Sequence, residues 1–297
     1  MSLRAELLRL GLRIFLKHRA AHVDLEDWRR QMRATEKLVP RPPARSQSTE
    51  IRAGALTMQR VVTPKSRPGR EVLYLHGGGY VSGGPAHYRH FVWRIADALA
   101  AAVCVLAYRL APEHPFPAAL ADAADAYTFL RRNASDTLFV MGDSAGGGLT
   151  LALLLKLRDE DQSLPRAAVA LSPWTDLALT GASLAENASA DPMLNPSHLP
   201  DIARLYLGST DPRTPYASPL YGDTARLPPV LIQVGSDEIL RDDAVRMAEM
   251  LKRNNPQSRL EVWPRMPHCW QLCVPMLPEA RRAIRNIASF VAAVGAE

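Results

Sequence analysis

"LFVMGDSAGGGLT", Leu138 to Thr150, is an apolar run that stops at Gly-Asp-Ser-Ala-Gly and continues into small, helix-compatible residues. The run reads as a buried strand and the continuation as a helix from Ala145. So sharp a strand-to-helix turn strains the backbone at Ser144 and pushes its hydroxyl clear of the sheet. Gly142 and Gly146 lack the Cβ atoms that would clash there. The free N–H groups of the helix N-terminus, starting at Ala145, face a developing negative charge. A serine capping a plain glycine turn would use the same five residues, so the rest of the chain must decide between the two.

On both sides of this turn, strands alternate with helices. "EIRAGALTMQRVV" and "EVLYLH" read as strands. A helix near 88–101 precedes a strand at 103–108, a helix near 118–132 precedes the strand at 138–141, and a helix at 145–157 precedes a strand at 167–172. Such alternation implies crossover units and a mostly parallel central sheet with helices on both faces, an α/β fold. It breaks between Pro173 and Leu227, a stretch rich in Pro, Asp and Ser with one short helical piece at 199–207. It resumes with the strand in "PPVLIQVGSDEIL", a helix at 242–253, a strand at 260–263 and a last helix near 278–293. "VPRPPARSQST", from Val39, reads as a linker. The expected organisation is an N-terminal cap segment at 1–45 and a catalytic domain at 46–297, with a cap insertion at about 174–227.

Two further features bear on Ser144. "LYLHGGGYVSGG" places His76, Gly77, Gly78 and Gly79 directly after a strand, where successive glycines let backbone N–H groups approach a ligand. Neither G-x-G-x-x-G nor a GK[ST] ending is present, which argues against a phosphate loop. A serine nucleophile also needs a base and an orienting carboxylate. Asp237 follows the strand "VLIQVGS" and His268 follows "LEVWP", so both are expected at carboxyl ends of strands, on the same rim as Ser144 and in the chain order Ser, acid, His. Glu238 is a neighbouring candidate whose side chain is expected to point elsewhere, and Asp242 and Asp243 fall inside the helix. His18, His22, His87, His90, His114 and His198 lack strand-end placement.

The 297 residues are 47% hydrophobic and 22% charged, a balance typical of globular chains that needs no disulfide or metal staple. The net charge of +6 is scattered, without the basic stripe of a nucleic-acid binder. Cys104, Cys269 and Cys273 show no paired zinc spacing and are expected to be free thiols in a reducing, cytoplasmic setting. No stretch is long and apolar enough to span a membrane, so stable membrane insertion is not expected. The first 20 residues are amphipathic, with Leu3, Leu7, Leu10 and Ile14 on one helical face; that face is expected to dock onto the protein's own surface.

"HGGGY", "YRLAPEHPFPAALAD", "GDSAGGG", "LSPWTDL", "GSDEILRDDA" and "MPHCW" together resemble the bacterial members of the hormone-sensitive lipase family of esterases, within the α/β-hydrolase fold. The resemblance runs from His76 to Trp270. It implies hydrolysis of short- to medium-chain carboxylesters with no metal or organic cofactor. Ser144 would be the nucleophile, His268 the base and Asp237 its orienter, with an oxyanion hole from the N–H groups of Gly78, Gly79 and Ala145. His76, Gly77 and Asp143 belong to the same two motifs. It also implies a small-molecule ester as partner and a homodimer through the last strand and helix. Two positions depart from the common pattern: Cys269 follows the histidine where Gly is frequent, and Glu238 follows the expected acid where Pro is frequent. The alternatives are a lactonase or other acyl hydrolase on the same site, and a non-catalytic ligand-binding receptor.

Overall fold

The computed structural model describes residues 2–17, 24–37, 39–133 and 137–294; His18 and His22 lie outside them. Among the described residues eight strands form one sheet: β1 (Gln47–Ala53), β2 (Leu56–Val62), β3 (Arg70–Leu75), β4 (Ala102–Leu106), β5 (Thr137–Asp143), β6 (Ala167–Leu171), β7 (Val230–Gly235) and β8 (Arg259–Trp263). Their order is β1-β2-β4-β3-β5-β6-β7-β8, and every pairing from β4 to β8 is parallel. The stretch "EIRAGALTMQRVV" divides at Gly54 into an antiparallel hairpin, because φ of +61° there is a turn conformation that glycine adopts without strain.

The central strands β4, β5 and β6 are buried on both faces, as a doubly covered parallel sheet requires. Along β3, Leu73 and Leu75 point into the core packed by α4 (Ala118–Asn133) and α5 (Ala145–Asp159). Val72 and Tyr74 point into the opposite core, under α3 (Arg89–Leu99) and α9 (Pro278–Val294). Among the described residues two α-helices precede the sheet, α1 (Leu3–Leu12), continued by a π-helical turn at Arg13–Lys17, and α2 (Leu25–Glu36). The segment between β6 and β7 holds the short α6 (Ser183–Glu186) and α7 (Leu199–Leu207) with two 3-10 turns, and α8 (Arg241–Asn254) follows β7.

The expected docking of α1 by its aliphatic face is not what the structure shows. Leu3, Leu7, Leu10 and Ile14 are 57–76% exposed, whereas Ala5 and Arg9 on the other face are buried. Beneath the helix Ala5 and Leu8 pack on the core under α3 and α9, and polar contacts join them: Arg9 and, beyond the helix end, Lys17 donate to backbone carbonyls of the segment between β6 and β7, and the N–H of Ser2 donates to Glu279. The inward face is the one that carries Ala5, Leu8 and the cation-to-carbonyl bonds of Arg9, not the stripe of Leu3, Leu7 and Leu10. Among the described residues, no helix is long and apolar enough to cross a membrane.

Candidate active site

Ser144 stands between β5 and α5 with φ 54° and ψ −122°, a conformation most side chains avoid. Its N–H donates to the carbonyl of Leu171 on the neighbouring strand at 2.8 Å, which fixes the turn. The glycines around it are required by space. A Cβ on Gly142 would lie 2.2 Å from the carbonyl oxygen of Gly146, and one on Gly146 would lie 2.0 Å from that of Leu75.

The Ser144 hydroxyl meets Nε2 of His268 at 2.9 Å. On the other side of the imidazole, Nδ1 lies 2.7 Å from Oε2 of Glu238. The expectation that Asp237 would face the imidazole is therefore corrected. Asp237 points away, accepting from the Ser236 hydroxyl and pairing with Arg9 at 2.8 Å. The reason is the turn after β7. The Glu238 N–H donates to the Gly235 carbonyl, so the four-residue turn folds Glu238 back over the strand end and leaves Asp237 at its apex. Glu238 is fully buried, and its Oε1 accepts from the Gly235 N–H at 2.5 Å and the Ser172 hydroxyl at 2.8 Å. A strand ending in glycine before Ser-Asp-Glu was the available signal, since the last position of such a turn returns toward the strand.

Other supports of the site had no clear signal in the sequence. Ser172, from "LSPW", also accepts from the N–H of Cys269 at 3.2 Å, tying the histidine turn to the acid. Asn187 donates to the carbonyls of Ser236 and Glu238, and Asp191 accepts from the N–H of Ile239 at 3.0 Å. Cys269 has φ +52°, the left-handed conformation that favours glycine, which accounts for glycine being frequent at that position and leaves Cys269 strained there.

Burial disfavours a charged imidazole at His268, but the hydrogen bond and negative charge of Glu238 outweigh it and raise the pKa above the usual value. His76 behaves oppositely. Burial lowers its pKa to about 4, its Nδ1 meets the Gly77 carbonyl, and its ring stacks on Tyr108 at 4.1 Å. It is a neutral packing residue. Asp143 is buried under β3, where it accepts from the hydroxyls of Tyr74 and Tyr88 and from the N–H of Gly77. Burial raises its pKa despite these bonds. Asp143 thereby ties the glycine loop to the serine turn.

Gly78 and Gly79 take φ of +121° and +65° beside Ser144. No hydrogen bond among the described residues uses the N–H of Gly78, Gly79 or Ala145. Gly78, Gly79, Ser144 and His268 border a cavity of about 510 Å³, lined also by Trp28 and Met32 of α2, Trp174, and Ile202 of α7. Trp174 thus serves the cavity as well as the core, while Tyr206 stacks on Tyr80 and Tyr216 bonds to Asp159. All three cysteines are free, and no group of potential metal ligands occurs among the described residues.

Comparison with protein families matches residues 72–272 to the alpha/beta hydrolase fold. An acetyl-hydrolase of Streptomyces hygroscopicus is 45% identical over 77% of this chain and 78% of its own. A crystal structure of an esterase from the bacterial hormone-sensitive lipase family superposes with a TM-score of 0.92 at 38% identity, covering 98% of both chains. That of EstE5, soaked with p-nitrophenyl butyrate, superposes at 0.94 with 37% identity over the whole of both chains.

Proposed function

The chain belongs to the bacterial hormone-sensitive lipase family of esterases within the α/β-hydrolase fold, and we propose that it hydrolyses short- to medium-chain carboxylesters through an acyl-serine intermediate formed at Ser144. The observation that carries this reading is the unbroken relay from Ser144 Oγ through both nitrogens of His268 to the buried carboxylate of Glu238. Glu238, not Asp237, is the acid of this triad.

In the proposed reaction Ser144 Oγ bonds to the ester carbonyl carbon while Nε2 of His268 takes its proton. The carbonyl oxygen becomes an oxyanion held by the N–H groups of Gly78, Gly79 and Ala145. Loss of one such donor typically slows turnover by ~100- to 1,000-fold. The ester C–O bond then breaks and the alcohol leaves with the proton from Nε2. A water, deprotonated by the same nitrogen, adds to the acyl carbon and releases Ser144 and the acid. Glu238 stabilises the imidazolium without taking its proton. The cavity falls in the usual small-molecule range of ~300–1,000 Å³, and its apolar walls favour acyl chains over charged groups.

Hydrolysis of p-nitrophenyl acetate and butyrate tests the reading, together with fluorophosphonate labelling. Ser144→Ala should abolish both turnover and labelling with the fold intact; turnover near the parent rate would overturn it. No ester hydrolysis by the parent protein would instead favour a receptor, and faster opening of lactones a lactonase.

The N-terminal segment 1–45 and the insertion at about 174–227 act as the cap in this reading, since both supply cavity residues. A homodimer through β8 and α9 fits the position of β8 at the sheet edge, with Val262 43% exposed; a monomeric mass in light scattering would exclude it. The three free thiols fit a cytoplasmic setting, which recovery of the protein in the medium would contradict.

A further inference from the structure

We propose that Arg9 is a positioning residue that holds the His268–Glu238 pair in register, and that Asp237 serves this purpose as its receptor. The inference rests on the triad reading above. Helix α1 leaves Leu3, Leu7 and Leu10 in water yet buries Arg9 to 6% exposure on the face that carries Ala5 and Leu8, so the partners of that arginine help set how the helix lies. The guanidinium Nη2 meets Asp237 Oδ2 at 2.8 Å, one residue before Glu238. Nη1 donates to the Arg265 carbonyl at 2.7 Å, three residues before His268. Nη2 also approaches the carbonyl of Ala190 at 3.4 Å, beside Asp191, which holds the N–H of Ile239. One side chain therefore joins the acid turn, the histidine turn and the segment between β6 and β7.

The histidine turn needs such a hold. Arg265 has φ +55°, a left-handed conformation unfavourable for its side chain. Its N–H is fixed by the Ser236 hydroxyl at 2.8 Å and its carbonyl by Arg9, so the peptide groups on both sides of the strained residue are secured from outside the turn. Ser236 in turn donates to Asp237, which closes a ring of contacts through both turns. Arg9 lies behind the pair and lines no part of the cavity among the described residues. Its loss should loosen the alignment of imidazole and carboxylate without changing how substrate is held. That is a fall in kcat with little change in KM.

The test compares steady-state kinetics on p-nitrophenyl butyrate for Arg9→Met, Arg9→Lys, Asp237→Asn and the double variant R9M/D237N. Glu279→Gln is the control, because Glu279 anchors the start of α1 through Ser2 and not through either turn. Misplacement by ~1 Å can cost about 100-fold, so a smaller displacement should lower kcat by roughly 10-fold in Arg9→Met, with KM within about twofold. Arg9→Lys should restore part of the loss, and Asp237→Asn should lose about threefold. The double variant should be no worse than Arg9→Met, as expected for residues acting as one unit. Glu279→Gln should keep the parental kcat. The inference is overturned by unchanged kcat in soluble Arg9→Met, by a loss confined to KM, or by an equal loss in Glu279→Gln. If Arg9→Met does not fold, full kcat in Asp237→Asn overturns it. Glu238→Gln measured alongside separates the two readings: parental turnover there refutes the triad itself, whatever Arg9 does.

Discussion

Replacing Glu238 by Gln changes one atom beside His268 and should nearly silence the site. Oε1 of Glu238 accepts from the Gly235 N–H at 2.5 Å and from the Ser172 hydroxyl at 2.8 Å, and the backbone N–H can only donate. The amide oxygen of Gln must therefore occupy the Oε1 position, which turns the NH₂ group toward Nδ1 of His268. An NH₂ donor there requires an unprotonated Nδ1, so the ring proton moves to Nε2, facing the Ser144 hydroxyl 2.9 Å away. The imidazole then cannot accept the serine proton. Loss of the correct tautomer in a triad of this kind lowers turnover by ~10⁴, or about 5.4 kcal/mol at ~1.36 kcal/mol per factor of ten. Asp237→Asn should lose only a few-fold, because Asp237 touches Arg9 and Ser236 rather than the imidazole. Initial rates of p-nitrophenyl butyrate hydrolysis for the two variants decide the matter, with circular dichroism to verify folding. A larger loss in Asp237→Asn than in Glu238→Gln would refute the assignment of the acid and the turn geometry behind it.

Two more outcomes follow from the same geometry. The base must be neutral to act, and Glu238 holds the pKa of His268 above its ordinary value of about 6.5. Activity should therefore fall as pH drops through a midpoint above that value. In Glu238→Gln the residual activity should show this limb moved to lower pH; a pH–rate profile flat down to pH 4 in the parent would exclude an imidazole base. Gly146→Ala places a Cβ 2.0 Å from the Leu75 carbonyl and 2.5 Å from that of His76, both backbone atoms that cannot swing aside. Overpacking of this kind costs ~1–3 kcal/mol, so the melting temperature should drop by roughly 2–10 °C with turnover reduced as well; an unchanged melting curve contradicts the close approach of β3 to the serine turn.

The sequence by itself determined the parallel sheet, the serine turn and the rim on which the reacting groups gather. These depend on local patterns: apolar runs of strand length, helices between them, and glycines where no Cβ fits. The structure bears out the mostly parallel sheet and joins Ser144 to His268, residues 124 positions apart. Tertiary structure alone decided which of two adjacent carboxylates meets the imidazole and which face of α1 turns inward. Asp237 and Glu238 carry the same charge one residue apart, so composition and order cannot separate them. The turn at Gly235 and the buried Arg9 do, by sending one side chain back to the sheet and the other to a cation. Likewise, amphipathic spacing marks an aliphatic face on α1 but is silent about competing partners. The hydrogen-bond demand of one guanidinium over two catalytic turns, with the packing of Ala5 and Leu8 beside it, sets the orientation, and it arises only once distant segments of the chain are brought together.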